Sequence, residues 1–260
     1  MTESSATRRP SPGLLLLEGR ALFELAALLP TMPLLRRAPR GDGHPVLVLP
    51  PFVASDLITR PLRGFLRDRG YRVHGWKLGR NLGPSPEVAL GMAQRLATLR
   101  SRYQRRVSLI GWSLGGVYAR ELARRFPDDV RLVITLGSPF RNVDATNVPR
   151  VLRNLGKRRS FAPTRHEELA APLSVPATAI FSRTDAICPW QSCTEDDGPQ
   201  SENIEVASSH VGLGHHPVVL LTIADRLAQP EGAWAPFRPP AAWPWPLVPR
   251  RMAQRVLPTA

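Results

Sequence analysis

Short, continuous apolar runs at 46–49, 107–111, 130–136 and 177–181 alternate along the chain with stretches of helical period. Runs of this length without polar alternation suit strands buried on both faces, as in a parallel sheet. Residues 71–76 and 204–207 read as two further strands. Apolar residues at 88, 92, 96 and 99 form one helical face, preceded by Ser85-Pro86, an N-cap followed by proline at the first helical position. Residues 56–69 read as a helix stopped by Gly70, 114–125 as one stopped near Pro127, and 217–228 as the closing helix. Strands alternating with helices imply a mostly parallel central sheet with right-handed crossovers. The chemistry of such sheets collects at the carboxyl ends of the strands.

The flanks read differently. Residues 1–13 are polar and then Pro/Gly-rich, and read as disordered; 14–29 read as an amphipathic helix ended by Pro30 and Pro33. A basic, Gly-rich linker at 36–44 follows. Residues 141–172 carry no strand run and read as a small helical insertion, a cap over the sheet edge. Residues 230–260 repeat Pro and Trp and read as an extended tail over the surface. The division is therefore 1–43, an α/β domain over 44–229, and 230–260.

One motif falls where the pattern turns from strand to helix. In Gly111-Trp112-Ser113-Leu114-Gly115 the glycines leave room for a sharp turn that holds Ser113 strained and exposed above the sheet. A serine hydroxyl needs a base, and the base an orienting acid. On a sheet of this kind the order along the chain is Ser, acid, His. Asp185 follows the strand at 177–181, and His210 follows the strand at 204–207, so the candidates converge on one sheet edge. The competitors are Asp144 for the acid and His215 or His216 for the base, while His44, His74 and His166 read as surface or structural groups. Asp196 and Asp197, with Glu195, read as a solvated turn. An oxyanion hole needs two backbone N–H groups, one from Leu114 and one from the loop after the first core strand. Pro50 and Pro51 have no N–H to give, which leaves Phe52.

With His44-Pro45-Val46-Leu47-Val48-Leu49-Pro50, Ser182-Arg183-Thr184-Asp185 and Ser209-His210-Val211-Gly212-Leu213, that motif resembles the bacterial α/β-hydrolase-fold esterases and lipases over about 44–228. The resemblance implies the α/β-hydrolase fold, a Ser113–Asp185–His210 triad and ester hydrolysis without a cofactor or metal. It departs at Pro51, where such proteins usually have glycine.

The 260 residues carry 35 Lys and Arg against 21 Asp and Glu, a net charge of +14. The arginines are scattered and no nucleic-acid motif accompanies them, so a solvated surface is expected and no specific nucleic acid. Arg8-Arg9 ahead of Leu14–Leu17 resembles a leader, but Pro10, Pro12, Gly13 and the charges at 18, 20 and 24 interrupt it. A cytoplasmic protein is expected, with a surface-lying helix at 14–29 on anionic membrane as the sharper alternative. Cys188 and Cys193 share one short loop and read equally as a small disulfide or as two free thiols.

Phe52, Trp76, Leu82 and Trp112 are candidates for an apolar acyl pocket; the alternative puts Trp76 and Trp112 in the core. The expected substrate is a short- or medium-chain carboxylic ester or a lipid. Three other readings stand beside hydrolysis: acyl transfer or thioester cleavage with the same residues, a non-catalytic binding protein that keeps the fold, and membrane or nucleic-acid association through the arginines.

Overall fold

The computed structural model describes residues 9–148, 166–239 and 250–251. Six parallel strands form the sheet: β1 (Pro45–Leu49), β2 (Arg72–Gly75), β3 (Val107–Trp112), β4 (Val130–Leu136), β5 (Ala177–Phe181) and β6 (Ser201–Glu205). A two-residue strand, β7 (Arg250–Arg251), adds to β6 antiparallel. The spatial order is β2-β1-β3-β4-β5-β6-β7, so the chain starts near one edge, reverses once and then winds outward.

Both faces of the central strands are buried, which is why β1, β3 and β4 are mostly apolar and buried along their whole length. Val46, Val48, Ile110, Trp112, Ile134 and Leu136 point to one face. There they meet α2 (Leu28–Arg36), α3 (Arg60–Asp68) and α7 (Pro217–Ala228). Leu47, Leu49, Leu109 and Val133 point to the other, against α4 (Pro86–Tyr103) and α5 (Leu114–Arg125). Met92, Leu96 and Leu99 are the buried stripe of α4, and Ser85 caps it by accepting the Val88 N–H at 3.2 Å. The architecture is therefore an α/β-hydrolase arrangement with helices on both sheet faces.

Several expectations shift. The last parallel strand starts at Ser201, three residues before the apolar run at 204–207. Glu202 is buried in it because Arg226 Nη1, Thr178 Oγ1 and the Phe237 N–H all donate to its carboxylate. Neither Pro30 nor Pro33 ends the N-terminal helix. The segment is a 3₁₀ helix (Pro12–Arg20), then α1 (Ala21–Ala26), then α2 through Arg36. Pro30 falls in the first turn of α2, where its missing N–H has no intrahelical use, and Pro33 faces solvent. Of the expected cap, the described parts are a 3₁₀ turn (Val143–Ala145) and α6 (His166–Ala170); 149–165 lie outside the described residues. Residues 1–8, 240–249 and 252–260 lie outside them as well.

Candidate active site

The turn from β3 to α5 carries Ser113 at φ 53° and ψ −121°, a conformation that a non-glycine residue holds only under restraint. The restraint is packing and one bond. The Ser113 N–H donates to the Leu136 carbonyl at 2.8 Å. A Cβ on Gly111 would lie 2.3 Å from the Gly115 carbonyl oxygen, and one on Gly115 would lie 2.4 Å from the Leu49 carbonyl oxygen. Only glycines let strand, turn and helix approach so closely.

Asp185 follows β5 and His210 follows β6. His210 Nδ1 donates to Asp185 Oδ2 at 2.6 Å, and both residues are buried. Asp185 Oδ1 accepts the N–H groups of Ile187 and Cys188, both at 2.8 Å, so the carboxylate is pinned from its own loop. Burial disfavours the imidazolium, but the Asp185 charge and hydrogen bond outweigh it and hold the His210 pKa well above its ordinary value; Cys188 acts in the same direction. The fold thus brings Ser113, Asp185 and His210 to the carboxyl ends of β3, β5 and β6.

The competitors are occupied elsewhere. His215 Nε2 bonds the Ala21 carbonyl at 3.0 Å, and His216 caps α7 by accepting the Val218 N–H at 3.2 Å. Asp144 lies exposed on its 3₁₀ turn. His74 bonds the Tyr103 hydroxyl. His44 is fully buried, with its Nδ1 2.5 Å from Asp42 Oδ1 and its Nε2 2.8 Å from Ser108 Oγ. That second Ser–His–Asp line is structural: Ser108 is fully buried inside β3, and burial with the Arg131 charge pushes the His44 pKa down to about 4. Glu195 is no part of a solvated turn. It is buried against Arg120, whose remaining donors take the carbonyls of Leu169, Ala170 and Ala171.

Around the serine, the Phe52 and Leu114 N–H groups have no hydrogen-bond partner among the described residues. The loop bearing Phe52 has no glycine, and Val53 takes the left-handed turn instead at φ 55°. Asn81 makes this tolerable. Its carbonyl accepts the Val53 N–H at 2.7 Å, its N–H donates to the Ala54 carbonyl at 2.7 Å, and its Nδ2 donates to the Pro50 carbonyl at 2.9 Å. Trp112 is buried beside Gly214 and its indole N–H donates to the His210 carbonyl at 3.1 Å. It supports the His loop from below. Trp76 is likewise buried, with its indole N–H on the Gly79 carbonyl.

The N-terminal segment supplies what sequence reasoning missed. Glu18 Oε1 accepts the Ala186 N–H at 3.1 Å and the His210 N–H at 3.0 Å, and its Oε2 accepts the Val211 N–H at 3.0 Å. Glu24 accepts the Ser209 N–H at 2.9 Å and the Ser209 hydroxyl at 2.5 Å. Two carboxylates therefore tie the acid loop and the His loop together. No local signal marks them, because their partners lie more than 160 residues away in the chain.

Cys188 and Cys193 are free buried thiols, Cys193 Sγ donates to the Pro189 carbonyl at 3.6 Å, and burial raises the pKa of both. Asp185, Cys188 and His210 place one ligand atom each within 4.8 Å of one another. The hydrogen bond between His210 and Asp185 already spends a nitrogen and an oxygen of that group, and burial keeps Cys188 in its thiol form.

No family model and no curated protein sequence matches the chain. Solved structures do. Aspergillus fumigatus lipase B is similar at a TM-score of 0.58 and 16% identity over 74% of this chain, which spans 54% of that lipase's length. A metagenome-derived lipolytic enzyme is similar at a TM-score of 0.50 and 17% identity, over 68% of this chain and 89% of its own. A polyneuridine aldehyde esterase is similar at 0.50 and 13% identity, over 72% of this chain and 100% of its own. At such identities the likeness reports backbone alone, and together with the sheet order it establishes that this chain has the α/β-hydrolase fold.

Proposed function

We propose that the protein is a serine hydrolase that cleaves carboxylic esters through an acyl-enzyme on Ser113. The observation that carries the reading is the strained Ser113 turn on the same sheet edge as the 2.6 Å pair of His210 and Asp185. In this mechanism His210 takes the Ser113 proton as Oγ attacks the ester carbonyl, and Asp185 stabilises the imidazolium that forms. The tetrahedral oxyanion is held by the N–H groups of Leu114 and Phe52, with the amino end of α5 favouring negative charge there. His210 then protonates the departing alcohol. Water, activated by the same histidine, releases the acid. Phe52 in the oxyanion loop and Leu82 beside Asn81 are half-buried and suit an acyl chain.

Hydrolysis of nitrophenyl esters by wild type and Ser113→Ala tests the reading. Loss of turnover and of fluorophosphonate labelling in the variant is the expected result; wild-type turnover in Ser113→Ala refutes it. Added alcohols or thiols that divert the acyl group would assign transfer in place of hydrolysis to the same residues.

A further inference from the structure

The segment at 9–40 has two apolar sides, and the fold covers one. Ala21, Glu24, Leu28 and Leu35 turn inward onto the His210 loop and α7. Positions 22, 25, 29 and 32 recur at helical spacing about a quarter turn round from that buried face. The bonds from the Ala27 N–H to the Phe23 carbonyl and from the Thr31 N–H to the Ala27 carbonyl keep that spacing in phase from α1 into α2. Leu22 is 74% exposed, Phe23 79%, Leu29 76%, and Leu16 on the preceding 3₁₀ helix 87%. Leu25 and Met32 complete the stripe. A contiguous apolar surface on a folded domain marks an interaction site.

Charge selects the partner. Residues 9–40 hold five arginines and two glutamates. Both glutamates and Arg20 are spent inward, on the loops of Asp185 and His210. Arg36, Arg37 and Arg40 are exposed at the carboxyl end of the stripe, without an ion pair among the described residues. The outward side therefore presents leucine, phenylalanine and arginine and no carboxylate. A second copy would bring a net charge of +14 against +14, which opposes self-association at low salt. No helix among the described residues is long and apolar enough to cross a membrane.

The geometry points to this stripe as a docking surface for an anionic lipid layer, with the N-terminal helices lying in the interface and the arginines on the headgroups. The same segment grips the Asp185 and His210 loops, and half-exposed Val211 borders it, so docking sets the rim of the catalytic site at the lipid surface.

Co-sedimentation of the full chain with vesicles of phosphatidylcholine and phosphatidylglycerol, against phosphatidylcholine alone, tests this without any turnover. The inference therefore stands or falls separately from the ester reading. Wild type is expected to bind the anionic vesicles at low salt and to release as salt rises. Leu22→Ser with Phe23→Ser and Leu29→Ser is expected to weaken binding about tenfold or more. Leu16→Ser, which has least packing to lose, weakens it in the same direction and guards against a misfolded triple variant. Arg36→Gln with Arg37→Gln and Arg40→Gln removes the preference for anionic vesicles. Wild type that stays in the supernatant at low salt overturns the inference, as does equal binding by the serine variants. A dimer in solution that the serine variants dissolve, with no vesicle binding, assigns the stripe to a second copy and overturns it as well.

Discussion

Glu18→Ala isolates the grip of the N-terminal segment on the loops of Asp185 and His210. The substitution removes one acceptor oxygen shared by the Ala186 and His210 N–H groups and a second that serves Val211. Ala186 and His210 are buried, whereas Val211 is half-exposed and water replaces its partner. Each buried N–H left without an acceptor costs about 1–3 kcal/mol. If about 2 kcal/mol of that appears as misplacement of the His210 loop, kcat falls about 30-fold. Glu18 holds backbone of the loops rather than the acyl pocket, so KM stays close to wild type. The decisive comparison is Glu18→Gln. Both buried donors use the same carboxylate oxygen, Oε1, and a glutamine carbonyl placed there retains both bonds. Glutamine is therefore expected to lose no more than a few-fold where alanine loses about 30-fold. The assay is steady-state hydrolysis of a nitrophenyl ester beside the rate of fluorophosphonate labelling, with thermal unfolding as the control on folding. A folded Glu18→Ala within twofold of wild-type kcat refutes the reasoning, and so does a Gln variant as impaired as Ala.

Three further outcomes follow from other parts of the site. Asp185 raises the His210 pKa, and the base must be neutral to act, so the acidic limb of kcat/KM in wild type lies above the ordinary histidine range. Asp185→Asn moves that limb to lower pH and lowers kcat by about 10³–10⁴; a pH–rate profile with an unmoved limb contradicts the assignment. Asn81→Ala keeps the backbone bonds to Val53 and Ala54 but releases the Pro50 carbonyl, and is expected to lower kcat about tenfold or more through the loop of Phe52 with little change in KM; steady-state kinetics that leave kcat intact would remove the Asn81 side chain from that role. Arg120→Ala strands the buried Glu195 carboxylate, costing about 3–5 kcal/mol and about 10 °C in thermal midpoint. Burial already raises the Glu195 pKa against the pull of Arg120, so without the arginine protonation offsets part of the loss. The deficit should be smaller near pH 5 than near pH 8, and calorimetry showing the opposite trend would refute it.

What the sequence determined by itself was everything carried by local pattern. β1, β3, β4 and β5 were legible because burial on both faces demands continuous apolar runs. The Ser113 turn was legible because the glycines that permit it are adjacent in the chain. The order of Ser113, Asp185 and His210 placed three strand ends on one edge, and the structure adds the 2.6 Å bond between the last two. Tertiary structure decided what depends on partners far off in the chain. β6 begins in polar residues because Arg226 and the chain at Phe237 reach its glutamate. Glu195 is a buried ion-pair partner because α5 presents Arg120 to it. Proline failed as a stop in the N-terminal helix because one proline occupies a first turn and the other faces water. The glutamates of that segment became braces for the loops of Asp185 and His210 because the fold lays residues 12–26 across them. A carboxylate near the amino end and a backbone N–H beyond residue 180 share no pattern in sequence, and only chain geometry makes them a bond.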